Sequence, residues 1–121
     1  MTRDEALTEA RAWCDAWNRG DLDAVMSHYA DDVAFSSPTV VQRWGIADGW
    51  LHGKDRLREN FAIGIRKPGL RFELLDVLLG PPNIVCIVHR RETGALVTDL
   101  VETGRDGRGV RVVACYGEGT S

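Results

Sequence analysis

The sequence predicts an α+β fold in which three N-terminal helices pack on an antiparallel sheet. Three observations carry that expectation. Up to Lys67, apolar side chains mostly recur at steps of three and four; from Leu70 onward four strand-like runs are joined by short turns; and several of those runs are apolar on both faces. At 121 residues, with 44% hydrophobic and 27% charged side chains, the chain has the balance of one folded domain spanning 1–121.

Thr2 and Glu5 have the spacing of a capping box, and Ala6, Leu7, Ala10, Trp13, Cys14 and Trp17 form the apolar stripe of the first helix. Gly20 stops it. Asp21 suits the N-cap of a short second helix with Leu22, Val25, Met26 and Tyr29 on its buried side, and Tyr29 is expected to close it. Val33, Phe35 and Ser37 then alternate along a short strand that Pro38 ends. From Thr39 to His52 no period is sustained, yet Trp44 and Trp50 are present, so an ordered loop over a cavity mouth is expected. Leu57, Phe61 and Ile65 define the third helix, ended by Lys67-Pro68-Gly69.

Leu70 to Leu79, Ile84 to Arg91, Ala95 to Thr103 and Val110 to Gly117 follow as strands, joined by GPPN, ETG and GRDGRG. Short turns imply consecutive antiparallel pairing. Helices cover one face of the sheet, and a second copy of the chain is expected to cover the other.

Composition excludes several classes of function. A net charge of -3, with arginines dispersed among acids, offers no nucleic-acid surface. No apolar run reaches the length of a membrane span and no export segment is visible. Cys14, Cys86 and Cys115 are odd in number and far apart, which fits reduced thiols in a cytoplasmic protein; Cys86 and Cys115 read as small buried hydrophobes. His28, His52 and His89 are too scattered for a metal site, and no cofactor is expected.

Asp99 stands out. It sits in ALVTDLVE, between Val97 and Val101, where an ionised side chain is costly unless solvated, paired or functional. His89 in the preceding strand shares its face if the ETG turn is a three-residue loop pairing Arg91 with Ala95; a two-residue turn puts it outside. A solvent-facing or ion-paired Asp99 would sink the reading of this residue as an enzyme's acid.

Three phrases, AWNRGDLDAVMSHYADDVAFSSP at Ala16 to Pro38, HGKDRLRENF at His52 to Phe61 and VRVVACYGE at Val110 to Glu118, resemble the SnoaL-like branch of the NTF2-like superfamily, which includes ketosteroid isomerases and polyketide cyclases. The resemblance implies a cone-shaped barrel, an internal pocket and a homodimer through the outer sheet face. Ser37 stands where the isomerases carry a base, Trp13 and Phe61 where they carry tyrosines, and Asp99 matches their strand acid. Val97 stands where the epoxide hydrolases of the superfamily carry an arginine. A SnoaL-type strand aspartate acts as general acid and base, and Asp99 fits that role.

The expected catalytic residues are therefore Asp99 and His89. Trp13, Trp17, Tyr29, Phe35, Ser37, Trp50, Phe61, Phe72 and Tyr116 are expected to line a pocket for a small hydrophobic ligand. The implied function is cofactor-free isomerase or cyclase chemistry on a hydrophobic carbonyl compound. The alternative is a non-catalytic ligand-binding or dimerisation module of the same fold.

Overall fold

Residues 1–117 are described by the computed structural model, in which helices pack on one six-stranded sheet. Helix α1 (Arg3–Asn18) starts where expected. Thr2 Oγ1 accepts from the Glu5 N–H at 3.1 Å and Glu5 Oε1 accepts from the Thr2 N–H at 2.9 Å, so two orphan donors of the first turn are satisfied. Ala6, Ala10, Trp13, Cys14 and Trp17 are its buried stripe. Helix α2 (Leu22–Met26) is capped by Asp21, whose carboxylate accepts from the Ala24 N–H at 3.1 Å.

Tyr29 does not close that helix. It opens strand β1 (Tyr29–Ser36), because the backbone there pairs with the last strand: Tyr29 is in register with Gly109, and the Gly109 N–H donates to the His28 carbonyl at 2.9 Å. Tertiary pairing outweighs the helical spacing.

The expected loop from Thr39 to His52 instead holds helix α3 (Pro38–Trp44) and strand β2 (Trp50–His52). Ser37 is the N-cap of α3, its hydroxyl accepting from the Thr39 N–H at 3.2 Å, with Pro38 at the first helical position and Gly45 ending it at φ 67°. Helix α4 (Lys54–Gly64) buries Leu57, Asn60 and Phe61. The described residues thus form four helices, not three.

Strands β3 (Phe72–Gly80), β4 (Ile84–Arg91), β5 (Leu96–Thr103) and β6 (Gly109–Tyr116) form the expected meander. The sheet order is β2-β1-β6-β5-β4-β3, antiparallel except for β1 against β6, whose long crossover permits a parallel pair. Register shifts between Leu74 and Asp76 and between Tyr29 and Ala34 help bend the sheet. It curves but does not close, leaving the expected cone open between β2 and β3.

Pairing fixes what faces the helices. His89 is opposite Val97, which is opposite Tyr116; one step along, Ile87 is opposite Asp99, which is opposite Ala114. All six point inward. Leu78, Cys86, Val88, Leu96, Leu100, Val113 and Cys115 have the opposite parity and form the outer face, where Leu78 is 53% and Leu96 45% exposed. Cys115 is accordingly exposed and Cys86 half-exposed, not buried as expected, since strand alternation turns both away from the helices.

Candidate active site

The three-residue turn Glu92-Thr93-Gly94 is what brings the site together. The Arg91 N–H donates to the Ala95 carbonyl at 2.9 Å and Gly94 takes a positive φ of 87°, so Arg91 pairs with Ala95. His89 and Asp99 then become diagonal neighbours on the inner face. His89 Nε2 lies 3.1 Å from Asp99 Oδ1, with 1% of the His89 side chain and 8% of the Asp99 side chain exposed.

Aromatic rings hold the imidazole from two directions. Phe72 stacks on it with centroids 4.9 Å apart and planes within 7°, and Trp13 meets it edge-on at 5.4 Å. Phe72 also stacks on Trp17, at 4.9 Å and 8°. His89 Nδ1 is buried without a hydrogen-bond partner, and so is Trp17 Nε1. Most buried polar atoms in proteins are paired, so two orphans in side chains that both stack on Phe72 call for an explanation.

Both residues line a cavity of about 320 Å³. Its aromatic wall is Trp13, Trp17, Phe35, Phe61, Phe72 and Tyr116, and Asp99, Ser37 and Ala114 complete the interior. Two of the expected ligand-binding residues lie elsewhere. Tyr29 lines a second, smaller cavity of about 60 Å³, its hydroxyl accepting from Trp13 Nε1 at 3.0 Å. Trp50, on β2, is covered by the Arg111 guanidinium 4.9 Å from its ring centre and stacks on His52; strand alternation turns it away from the cavity, since its neighbour Leu51 is the one that faces inward. Ser37 does line the cavity, but its hydroxyl is engaged with Thr39 in the α3 cap.

Burial keeps the neighbours of Asp99 protonated, and its charge adds to the effect. Burial first, then the Asp99 charge, push the Cys14 thiol up to about 12 and raise the Tyr29 phenol. Tyr116 is raised by burial, with Arg91 opposing and Asp99 and Glu92 adding to the shift. Its hydroxyl accepts from Arg91 Nη1 at 3.2 Å. Among the described residues no three His, Cys, Asp or Glu side chains gather as metal ligands, and no helix is long and apolar enough to cross a membrane.

Arg43, Asn60 and Lys67 also line the cavity and were not foreseen. Arg43 was hidden in the segment read as a loop. The Ser37-Pro38 step followed by Gly45 is the cap, first-turn and stop pattern that would have revealed its helix.

No curated protein matches the chain. A SnoaL-like domain profile matches residues 10–117. A SnoaL-like protein of unknown function from Burkholderia thailandensis is 38% identical, with 96% of this chain and 97% of that one covered and a TM-score of 0.90. NTF2-like proteins of unknown function share the fold at lower identity. That from Cytophaga hutchinsonii is 12% identical, with 97% and 91% covered and a TM-score of 0.70. That from Burkholderia xenovorans is 21% identical, with 98% and 88% covered and a TM-score of 0.71. With a profile spanning most of its length and a close structural relative that bears the same description, the chain belongs to the SnoaL-like domain family.

Proposed function

We propose that this protein is a cofactor-independent acid–base enzyme, an isomerase, cyclase or related lyase, acting on a small hydrophobic carbonyl compound with Asp99 and His89 as its proton-transfer pair. One observation carries the reading: a buried Asp–His pair in the wall of an aromatic cavity. Unlike the permanently charged arginine, imidazole can hold a carboxylate as a neutral hydrogen-bond donor.

With Asp99 as carboxylate, His89 donates from Nε2–H, and that tautomer leaves a lone pair on Nδ1. Asp99, which lines the cavity and keeps Oδ2 free of that bond, takes a proton from the carbon beside the substrate carbonyl: the C–H bond breaks, an O–H bond forms, and the electron pair moves into an enolate. The Asp99 carboxyl, oriented by His89, then returns the proton to carbon for isomerisation or to oxygen after ring closure. The Tyr116 hydroxyl, which lines the cavity, is the donor suited to the enolate oxygen. Trp13 Nε1 and Ser37 Oγ are engaged with Tyr29 and Thr39.

Exchange of α-protons for deuterium in aryl methyl ketones, followed by NMR in D₂O, tests this without knowledge of the natural substrate. Wild type should accelerate exchange, and Asp99→Asn and His89→Gln should each cut the rate by about a hundredfold or more. Unchanged exchange in Asp99→Asn removes it from the mechanism. Ketone binding without exchange favours the second reading, a non-catalytic binding module, for which the engagement of Ser37 in the α3 cap is the supporting observation.

The same reading includes a homodimer through the outer sheet face. Leu78 and Leu96 expose too much apolar surface there to be left bare, with Val88, Leu100 and Val113 half-buried between them.

A further inference from the structure

The polar rim of the cavity carries the next inference, which rests on the reading of the cavity as a ligand site. Arg43, Lys67 and Arg91 all line it. A single carboxylate, Glu92, is engaged with two of them: it accepts from Lys67 Nζ at 2.8 Å, from Arg91 Nε at 3.1 Å and from Arg91 Nη2 at 3.3 Å. Burial raises the Glu92 pKa. The Lys67 ammonium, backbone N–H groups of Glu92 and Arg71, and the Arg91 guanidinium outweigh that and hold it at about 2. Glu92 is therefore fully ionised, and its one negative charge is shared between two cations.

Arg43 has no acid partner among the described residues. Its Nη1 donates to the carbonyl of Asn60 at 3.0 Å and to the Asn60 side-chain oxygen at 2.7 Å, both neutral. Asn60 is 1% exposed and also accepts from Trp44 Nε1 at 3.0 Å, so the anchor is rigid. The guanidinium lies over Gly64, with both terminal nitrogens 3.9 Å from where a β-carbon there would stand, and beside Trp17. One nitrogen is thus committed to neutral groups, leaving Nε and Nη2 as an open fork of the kind that grips a carboxylate by two parallel bonds. Partial burial, opposed by Tyr116 and reinforced by the like charge of Arg91, lowers the Arg43 pKa, as expected for a cation lacking its counter-charge.

Among the described residues Arg43 thus brings to the cavity wall a cation engaged only with neutral groups, in a protein whose net charge is -3. Such a cation beside an interior walled by aromatic rings is complementary to one kind of molecule. We infer that the ligand is a hydrophobic aromatic acid, its carboxylate held at the rim by Arg43 and its carbonyl-bearing body inserted towards Asp99 and His89. In this arrangement the rim arginine selects the substrate and orients it, while the dyad acts on carbon.

Three matched pairs of probes test the inference by calorimetry: benzoate with acetophenone, 2-naphthoate with 2-acetylnaphthalene, and 2-anthroate with 2-acetylanthracene. Within the pair that fits best, wild type should bind the carboxylate about tenfold more tightly than the ketone, as a charge-assisted pair predicts. The preference should shrink as salt rises from about 0.02 to 0.5 M. Arg43→Gln should erase it, and Arg43→Lys, which keeps the charge but not the fork, should retain part. Equal affinity for acid and ketone, a salt-independent preference, or one that survives Arg43→Gln overturns the inference and leaves the pocket reading intact. Failure of all six probes to bind wild type overturns both. The salt series needs wild type alone, so it decides between these outcomes even if a variant does not fold.

Discussion

Coupling between His89 and Asp99 can be measured with no substrate at all. Their side chains are 1% and 8% exposed and meet at 3.1 Å, so replacing either with alanine strands the other in a nearly dry wall. Breaking a buried pair from one side costs about 3–5 kcal/mol, most of it the penalty on the group left behind. The His89→Ala/Asp99→Ala double variant leaves no stranded polar group, so its cost should be about 4–6 kcal/mol, not the sum of the singles, giving a coupling of about 2–4 kcal/mol. A domain of this size holds about 5–15 kcal/mol in total, so the single variants remain measurable. Urea unfolding at pH 7 and fixed protein concentration, followed by the fluorescence of the four tryptophans, is the assay. A third comparison separates polarity from packing. His89→Phe combined with Asp99→Leu should lie close to wild type, since a well-packed apolar pair replaces a buried polar one at little cost. If the alanine variants are additive within about 0.5 kcal/mol, the side chains do not interact and the dyad reasoning fails.

A second titratable group gives a pH signature. Burial lowers the His28 pKa, opposed by Glu9, whose Oε2 is 3.4 Å from Nδ1. The folded value then lies below the unfolded one, so the folded state binds fewer protons, and stability is full above about pH 6.5 and declines as pH falls below it. His28→Gln should flatten the decline in urea midpoint between about pH 7 and 5; an unchanged slope would show that His28 is not its source. For the outer face, wild type should elute at twice the monomer mass of 13.4 kDa in light-scattering chromatography, and Leu78→Glu, at a 53% exposed site, should elute as monomer. A monomeric wild type refutes the homodimer.

Where local chemistry dominates, the sequence was readable. Thr2 and Glu5 cap α1 with bonds made between neighbours in the chain, and the stripe through Leu57 and Phe61 needs only the helical period. Where long-range pairing dominates, it was not. Tyr29 continues an apolar helical pattern, but its backbone pairs with Gly109, eighty positions away, and that contact has no local signature. Strand β2 spans only Trp50–His52, too short to show alternation, and exists because β1 supplies its partner. Arg43 marks an intermediate case: the α3 signals at Ser37, Pro38 and Gly45 were present, but a helix of seven residues is too short for its period to stand out.

By itself the sequence determined the α+β class, the meander of four strands, and an aspartate set among apolar strand residues. It left open whether His89 faces that aspartate. Only the tertiary structure decided this, through the three-residue turn that pairs Arg91 with Ala95. A strand alternates with period two, so a slip of one residue would turn the imidazole to the outer face while changing nothing in composition or pattern. The same holds for the rim: three cations scattered over a helix, a loop and a strand read as ordinary surface charge until the fold assembles them around one cavity.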